Sequence, residues 1–87
     1  MTYTVLWKPD AEDELARLWT GAADRDAVTK SADWIDAALH RDPRSKGESR
    51  TGDIRILVVP PLAVRFEVRD ADRTVYVLQV WHWGRPP

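Results

Sequence analysis

The sequence predicts an α+β fold, a two-layer sandwich in which an N-terminal strand and a helical hairpin pack on an antiparallel sheet. Two observations predict it. Apolar residues recur every three to four positions between about residues 11 and 39, and every second position from about residue 54 onward. The 87 residues form one domain, because a chain of this length hides only about 60–65% of its unfolded surface and builds one thin core.

The N-terminal half predicts one strand and two helices. Residues 1–7 alternate as a strand, and Pro9 suits the first turn of a helix because its missing N–H needs no partner there. The first helix ends near residues 21–24, and Asp24 or Asp26 caps the second. Asp42-Pro43 ends the second helix, since the residue before a proline avoids the α region. The large side chains expected in the core are Trp7, Trp19 and Trp34.

The C-terminal half predicts a polar loop and three strands joined by hairpins. Residues 44–52 form the loop, and the strands cover residues 54–59, 62–68 and 74–81. The last of these is apolar on both faces, as a central strand would be, and residues 84–87 form a frayed end. One face of the sheet receives the helices. The opposite face has no cover from the chain itself and contains Ala63, Arg65, Glu67 and Arg69.

Charge and composition exclude several classes of protein. The net charge of −1 is divided into −4 over residues 1–40 and +3 over residues 41–87. The chain has no cysteine and only two histidines, so no disulfide, metal site or cofactor is expected. His40 is expected to complement the C-terminal end of the second helix. No apolar run is long enough to cross a membrane and the N-terminus lacks signal-peptide features, so a cytoplasmic location is expected.

The ordered set of elements resembles the RelE/ParE superfamily of bacterial toxins over essentially the whole chain. The resemblance rests on the first strand before Pro9, the second helix ending at residues 39–43, the polar loop at residues 47–50, and the hairpin of residues 64–68 and 73–82. It implies a growth-inhibiting toxin of a type II toxin–antitoxin system, neutralised by an antitoxin encoded beside it. Members of the superfamily cut mRNA on the ribosome or inhibit DNA gyrase, and neither branch uses a metal.

The resemblance also implies site residues for a metal-free endoribonuclease. His82 matches the C-terminal histidine of one mRNA-cleaving branch, and Glu48 lies where that branch has a loop carboxylate. The arginine that many members have early in the third strand would fall at Ala63, and Arg65 or Arg55 would substitute for it. His82, Glu48 and Arg65 are therefore the catalytic candidates. The candidates for binding RNA or phosphate are Arg50, Arg55, Arg73 and Trp83.

Cleavage by attack of a 2′-hydroxyl needs a base, an acid and a cation near the phosphate. His82 has an imidazole that can serve as acid or base near neutral pH, and guanidinium groups match phosphate oxygens. Each residue also has a structural explanation, from a packed imidazole at His82 to a solvated carboxylate at Glu48.

Three functions stay open on the sequence alone: a ribosome-dependent mRNA endonuclease, a non-enzymatic toxin that binds gyrase, and a catalytically inactive relative that binds an antitoxin. His82 and the arginines favour the first, whereas the absent arginine at Ala63 and the net charge of −1 favour the second and third.

Overall fold

The structure is a computed structural model and describes residues 2–84. Two helices lie on one face of a mixed sheet of five strands. The helices are α1 (Pro9–Gly21) and α2 (Arg25–Arg41), and a single 3₁₀ turn follows at Pro43–Ser45. The strands are β1 (Thr4–Trp7), β2 (Glu48–Ser49), β3 (Ile54–Val59), β4 (Leu62–Arg69) and β5 (Thr74–His82). This architecture confirms the predicted α+β fold.

Both helices begin at residues that favour a helix N-terminus. Pro9 opens α1, and Asp10 and Glu12 lie in its first turn, where carboxylates meet the positive end of the helix dipole. The Asp24 carboxylate caps α2 by accepting a hydrogen bond of 3.0 Å from the Ala27 N–H. Of the two predicted N-cap residues of α2, Asp24 and Asp26, the structure shows that Asp24 is the N-cap.

The sheet has the strand order β1-β5-β4-β3-β2. The three C-terminal strands pair antiparallel as predicted, and β1 joins the far side of β5 in parallel. β5 is therefore an interior strand, which explains why it is apolar on both faces. Met1 and residues 85–87 of the predicted frayed end, which spans 84–87, lie outside the described residues.

The core lies between the helices and one face of the sheet. Phe66, Val64 and Val68 of β4 are fully buried there, and they meet Ile35 and Leu39 of α2. Opposed residues on neighbouring strands share a face, so the partners of these residues mark this helix-covered side. The other side is called the open face below. It contains Leu6, Glu48, Ile54, Ile56, Val58, Ala63, Arg65, Glu67, Arg69, Tyr76, Gln79 and Trp81.

Two tryptophans predicted in the core are at the surface instead. Trp19 is 42% exposed and Trp34 is 52% exposed, whereas Trp7 is half-buried against the core. Ile35 occupies the buried side of α2, and one residue advances a helix by about 100°, so Trp34 turns away from the sheet. The Trp19 Nε1 donates to the Thr29 hydroxyl at 3.1 Å, which holds the ring at the rim between the two helices.

The predicted polar loop at residues 44–52 contains more structure than the sequence indicates. The two residues of β2 pair with Ile56 and Arg55 at the edge of the sheet. The Arg55 guanidinium fixes the approach to this strand, since Nε donates to the Lys46 carbonyl at 2.8 Å and Nη2 to the Gly47 carbonyl at 3.1 Å. Gly47 has a φ of +66°, a conformation that glycine adopts without steric cost.

Candidate functional site

One row of side chains crosses the open face on four strands. Glu48 of β2 pairs with Ile56 of β3, Ile56 pairs with Arg65 of β4, and Arg65 pairs with Gln79 of β5. Neighbouring strands lie about 4.8 Å apart, so the backbones of Glu48 and Arg65 are separated by roughly 10 Å. The structure therefore places two of the predicted catalytic residues on one surface, with an isoleucine between them.

The arginines of the open face each contact a neighbouring side chain. Arg50 pairs with Glu48 at 3.1 Å, and Arg65 donates from Nη1 to the Gln79 side-chain oxygen at 3.0 Å. Arg69 pairs with Glu67 at 3.3 Å. The arginines of both ion pairs are exposed and Glu67 is half-buried, so the ion pairs contribute little to stability and a ligand can replace them at small cost.

Apolar side chains fill the spaces between these arginines. Leu6 is 46% exposed, and Ile54, Ile56 and Val58 are half-buried, although no other part of the described chain covers this face. Ala63 is fully buried between its cross-strand partners, Val58 and Trp81. The position where many superfamily members have an arginine is thus part of a packed apolar patch.

His82 lies on the helix side of the sheet, whereas the sequence analysis places it with the arginines. It pairs with the buried Leu62 and lines a cavity of about 590 Å³ near the end of α1 and the start of α2. Its Nδ1 is 2.9 Å from the Trp83 carbonyl oxygen. Arg65 lies three residues along β4 from Leu62, a distance of about 10 Å, and on the opposite face. The structure does not bring His82 to Glu48 and Arg65.

The remaining predicted residues are also dispersed. Arg55 pairs with the buried Phe66 and donates to backbone carbonyls, so it faces away from the open face. Arg73 lies in the β4–β5 turn, with its guanidinium 5.3 Å from the centre of the Tyr3 ring. Trp83 follows β5 and is 51% exposed. Among the predicted RNA-binding residues, Arg50 contacts the row through its ion pair with Glu48.

A second cationic cluster, which the sequence pattern does not indicate, lies on the open face. The Tyr76 ring has the Lys8 Nζ at 4.6 Å from its centre and the Arg69 guanidinium at 5.7 Å. Cations at such distances are attracted to the electron-rich face of an aromatic ring. Lys8 reaches Tyr76 because β1 pairs with β5. The contact could have been predicted only if that strand pairing had been known. Within residues 2–84, no three His, Cys, Asp or Glu side chains converge as a metal site would require.

Comparison with protein families decides what the chain is. The family described as the ParE toxin of the type II toxin–antitoxin system, parDE, matches residues 5–87. The chain belongs to this ParE toxin family. The resemblance to the RelE/ParE superfamily is thereby confirmed, and the toxin belongs to a family of type II toxin–antitoxin systems.

Solved structures share the fold of this ParE-family toxin. A chain of the toxin–antitoxin complex RelBE2 from Mycobacterium tuberculosis superposes with a TM-score of 0.75 at 20% identity, covering 94% of this chain and 99% of that one. The chromosomal ParDE system of P. aeruginosa gives 0.70 at 13% identity, covering 93% and 96%. The isolated E. coli RelE toxin gives 0.64 at 16% identity, covering 97% and 87%. Identities this low establish the fold alone.

No protein of curated function matches the sequence of this toxin. Within residues 2–84, neither helix combines the length and apolarity needed to cross a membrane.

A polar network ties Tyr3, the residue before β1, to the segments around Arg44, Asp53 and Asp70. Arg44 donates from Nη2 to the Asp53 carboxylate at 3.0 Å and to the Asp70 carboxylate at 2.6 Å, and the Tyr3 hydroxyl donates to Asp70 at 2.7 Å. The hydrogen bond from Arg44, followed by that from Tyr3, lowers the pKa of the Asp70 carboxyl below its usual 3.8. The same bond to Asp70 raises the pKa of Tyr3 above 10.0.

We expect Asp70→Asn to lower the free energy of unfolding at neutral pH. We also expect the stability of the variant to decrease less than that of wild type as the pH falls. A carboxyl whose pKa is lower in the folded state stabilises the fold above its unfolded pKa of 3.8, and that contribution disappears as the pH falls through the folded pKa. Urea unfolding of wild type and variant between pH 7 and pH 2.5 would measure the difference, which should shrink below about pH 4.

The matched control is Asp72→Asn in the same β4–β5 turn, because the network does not include this side chain. A stability difference between wild type and Asp70→Asn that stays constant down to pH 2.5 would contradict the prediction.

Proposed function

We propose that this ParE-family toxin inhibits growth by binding a protein target through its open face, with DNA gyrase as the target, and that it does not cleave RNA. The observation that carries the proposal is the placement of His82 and Arg65 on opposite faces of the sheet. Its neutralising partner is the antitoxin encoded beside it, and gyrase as the target implies action in the cytoplasm without a metal or cofactor.

General acid–base cleavage requires proton-transferring groups within hydrogen-bonding reach of a single phosphate. His82 provides the side chain best suited to proton transfer near pH 7, and it lies on the helix side. The open face offers Glu48 as a base and several arginines as cations, but no group within the described residues that matches His82 as an acid. This separation supports a toxin without nuclease chemistry.

The composition of the open face supports a protein partner. Ile56, Val58 and Trp81 make its centre apolar, while arginine side chains surround that centre. Protein interfaces combine an apolar, aromatic and arginine-rich centre with a polar rim, and isolated proteins rarely expose such a surface without a partner. An RNA-binding surface would instead gain affinity mainly from many Lys and Arg contacts to phosphate.

A second candidate function is mRNA cleavage on the ribosome. The observation that favours it is that Glu48, Arg50 and Arg65 share one surface, where a carboxylate base and two cations could approach the same phosphate. In that case the acid would be a group other than His82.

Growth and target assays on three variants test the proposal. Induction of the wild-type gene should arrest growth, switch on the SOS response and leave mRNA 5′ ends unchanged. Arg65→Glu should restore viable counts at least tenfold, because it reverses a charge beside the apolar centre of the open face. His82→Ala should arrest growth within twofold of wild type. Lys30→Glu changes the charge equally on the exposed side of α2 and serves as the matched control.

New mRNA 5′ ends that appear on induction, and that disappear with His82→Ala, would contradict the proposal and establish cleavage. New 5′ ends that persist in His82→Ala but disappear in Arg65→Glu would favour the second candidate. An assay of DNA supercoiling by purified gyrase with the purified toxin measures the proposed target directly.

A further inference from the structure

A second row of side chains crosses the open face beside the row of Glu48 and Arg65. Leu6 of β1 pairs with Tyr76 of β5, Tyr76 pairs with Glu67 of β4, and Glu67 pairs with Ile54 of β3. Four strands spaced about 4.8 Å apart make this row roughly 14 Å long. Leu6 at one end is 46% exposed and Ile54 at the other end is half-buried. The row therefore has apolar ends, with an aromatic ring and a carboxylate between them.

Two cations meet at the aromatic ring of this row. The Lys8 Nζ lies 4.6 Å from the centre of the Tyr76 ring, and the Arg69 guanidinium lies 5.7 Å from it. They approach from opposite directions along the strands, because Lys8 follows the end of β1 whereas Arg69 pairs with Thr74, two residues before Tyr76. Like charges about 10 Å apart or less repel each other, and an anion between them would relieve the repulsion. Lys8, Tyr76 and Arg69 are called the Tyr76 cluster below.

The Tyr76 cluster has donors that the described chain does not use. Within residues 2–84, Lys8 forms no ion pair and the Tyr76 hydroxyl makes no hydrogen bond. Arg69 donates from Nε to Glu67 at 3.3 Å, which leaves its two Nη groups for another acceptor. A carboxylate accepts hydrogen bonds from ammonium, guanidinium and phenol groups, and those from the two cations are the stronger ones. The cluster is therefore equipped to hold a carboxylate.

The open face as a whole carries positive charge. Among residues 2–84, the charged side chains that lie on this face or contact it are four cations and two carboxylates, namely Lys8, Arg50, Arg65, Arg69, Glu48 and Glu67. Their sum is +2, whereas the whole chain has a net charge of −1. Interfaces between proteins bring surfaces of opposite charge together, so the surface that fits this face is acidic.

We infer that the Tyr76 cluster binds an acidic segment of the protein target. Aspartate or glutamate side chains of that segment accept hydrogen bonds from Lys8, Arg69 and the Tyr76 hydroxyl, and an apolar side chain beside them packs on Leu6. The inference rests on the proposed function, in which the open face binds gyrase. It adds the charge of the target segment and extends the contact to the β1 side of the sheet.

The geometry of the Tyr76 cluster favours a protein segment over RNA. Proteins that bind single-stranded RNA stack its bases on aromatic rings, but cations already lie 4.6 Å and 5.7 Å from the centre of the Tyr76 ring. A base would have to displace them. The apolar ends of the row, Leu6 and Ile54, offer side-chain contacts to a peptide and no hydrogen bonds to a nucleotide.

Binding of the intact toxin to purified DNA gyrase tests this inference. Lys8→Glu and Arg69→Glu should each weaken binding at least tenfold at low salt, and the loss should shrink at high salt. Lys8→Glu is compatible with the fold, because it puts a carboxylate at the positive end of the α1 dipole. Lys8→Arg keeps the charge and should bind within threefold of wild type. Lys30→Glu changes the charge equally on the exposed side of α2 and should bind within twofold.

A charge swap on the target identifies the acidic segment. Hydrogen exchange on gyrase, with and without the wild-type toxin, locates the protected segments, and each aspartate or glutamate in them is then changed to lysine. At least one such change should restore binding to Lys8→Glu while weakening binding to wild type. The measured Tm of each toxin variant confirms that it is folded.

Three results would contradict the inference. Binding of Lys8→Glu and Arg69→Glu within twofold of wild type would overturn it, and so would losses that are equal at low and high salt. Tighter binding of a single-stranded RNA oligonucleotide than of gyrase, lost in Lys8→Glu, would overturn it by assigning the Tyr76 cluster to phosphate. Failure of gyrase to bind the wild-type toxin would be a different result, because it contradicts the proposed function itself.

Discussion

Replacing Gly47 by alanine should destabilise the toxin by roughly 2–5 kcal/mol, a large share of the 5–15 kcal/mol typical of a small domain. Gly47 has a φ of +66°, which is unfavourable for any residue with a Cβ. The added Cβ would also lie 2.0 Å from the Ile56 carbonyl oxygen and 3.0 Å from the Leu57 Cα, and both are backbone atoms of β3. The strand must therefore shift, which disrupts its pairing with β2.

Gly52→Ala is the matched control for that substitution. Gly52 has a φ of +59°, but an added Cβ would meet nothing within 4 Å. Only the backbone cost remains, about 1–2 kcal/mol. Urea unfolding followed by tryptophan fluorescence would measure both variants. Equal losses of stability would show that the contact with β3 does not determine the effect at Gly47.

Replacing Phe66 by alanine should reduce stability by about 3–5 kcal/mol, because truncation of a buried aromatic ring removes its transfer free energy and leaves a cavity. Phe66 is fully buried and lies in the middle of β4, between Arg55 of β3 and Val77 of β5. For a domain of this size, each kcal/mol corresponds to about 4–8 °C in Tm. Calorimetry should therefore show a decrease in Tm of at least about 12 °C.

Trp34→Ala provides the contrast for Phe66→Ala. The sequence pattern predicts that Trp34 is part of the core, whereas the structure leaves it 52% exposed. Its truncation should change stability by less than about 1 kcal/mol, as expected for a surface position. A loss as large as that of Phe66→Ala would mean that the tryptophan is covered in solution.

The helices and the three C-terminal strands could be predicted from the sequence because local periodicity determines them. The turn signals at Pro60-Pro61 and residues 70–73 give the strand limits to within one residue. Local periodicity could not predict which strands pair with β1 and β2. Their pairing depends on backbone hydrogen bonds to residues distant along the chain, and Gly47 permits the pairing of β2 by its conformation rather than by any side chain.

The position of His82 shows why the candidate site was harder to predict than the fold. Strict alternation from Val75 and Val77 would place residue 82 on the open face. Gln79 and Val77 instead pair with the adjacent residues Arg65 and Phe66, so Leu78 has no partner and forms a bulge. One extra residue reverses the alternation beyond it, which turns Val80 and His82 toward the helices. Nothing in the run of apolar residues around Leu78 indicates a bulge.

The parallel pairing of β1 with β5 also constrains when the toxin can become active during synthesis. Thr4 pairs with Thr74, so the first strand waits for a partner about seventy residues later in the chain. At translation rates of about 5–20 residues per second, that delay is roughly 4–14 s. Until β5 is synthesised, the edge of β4 is unpaired and the sheet face that the helices cover is incomplete. A nascent or truncated chain that lacks β5 would therefore complete neither the five-stranded sheet nor the core that the helices cover.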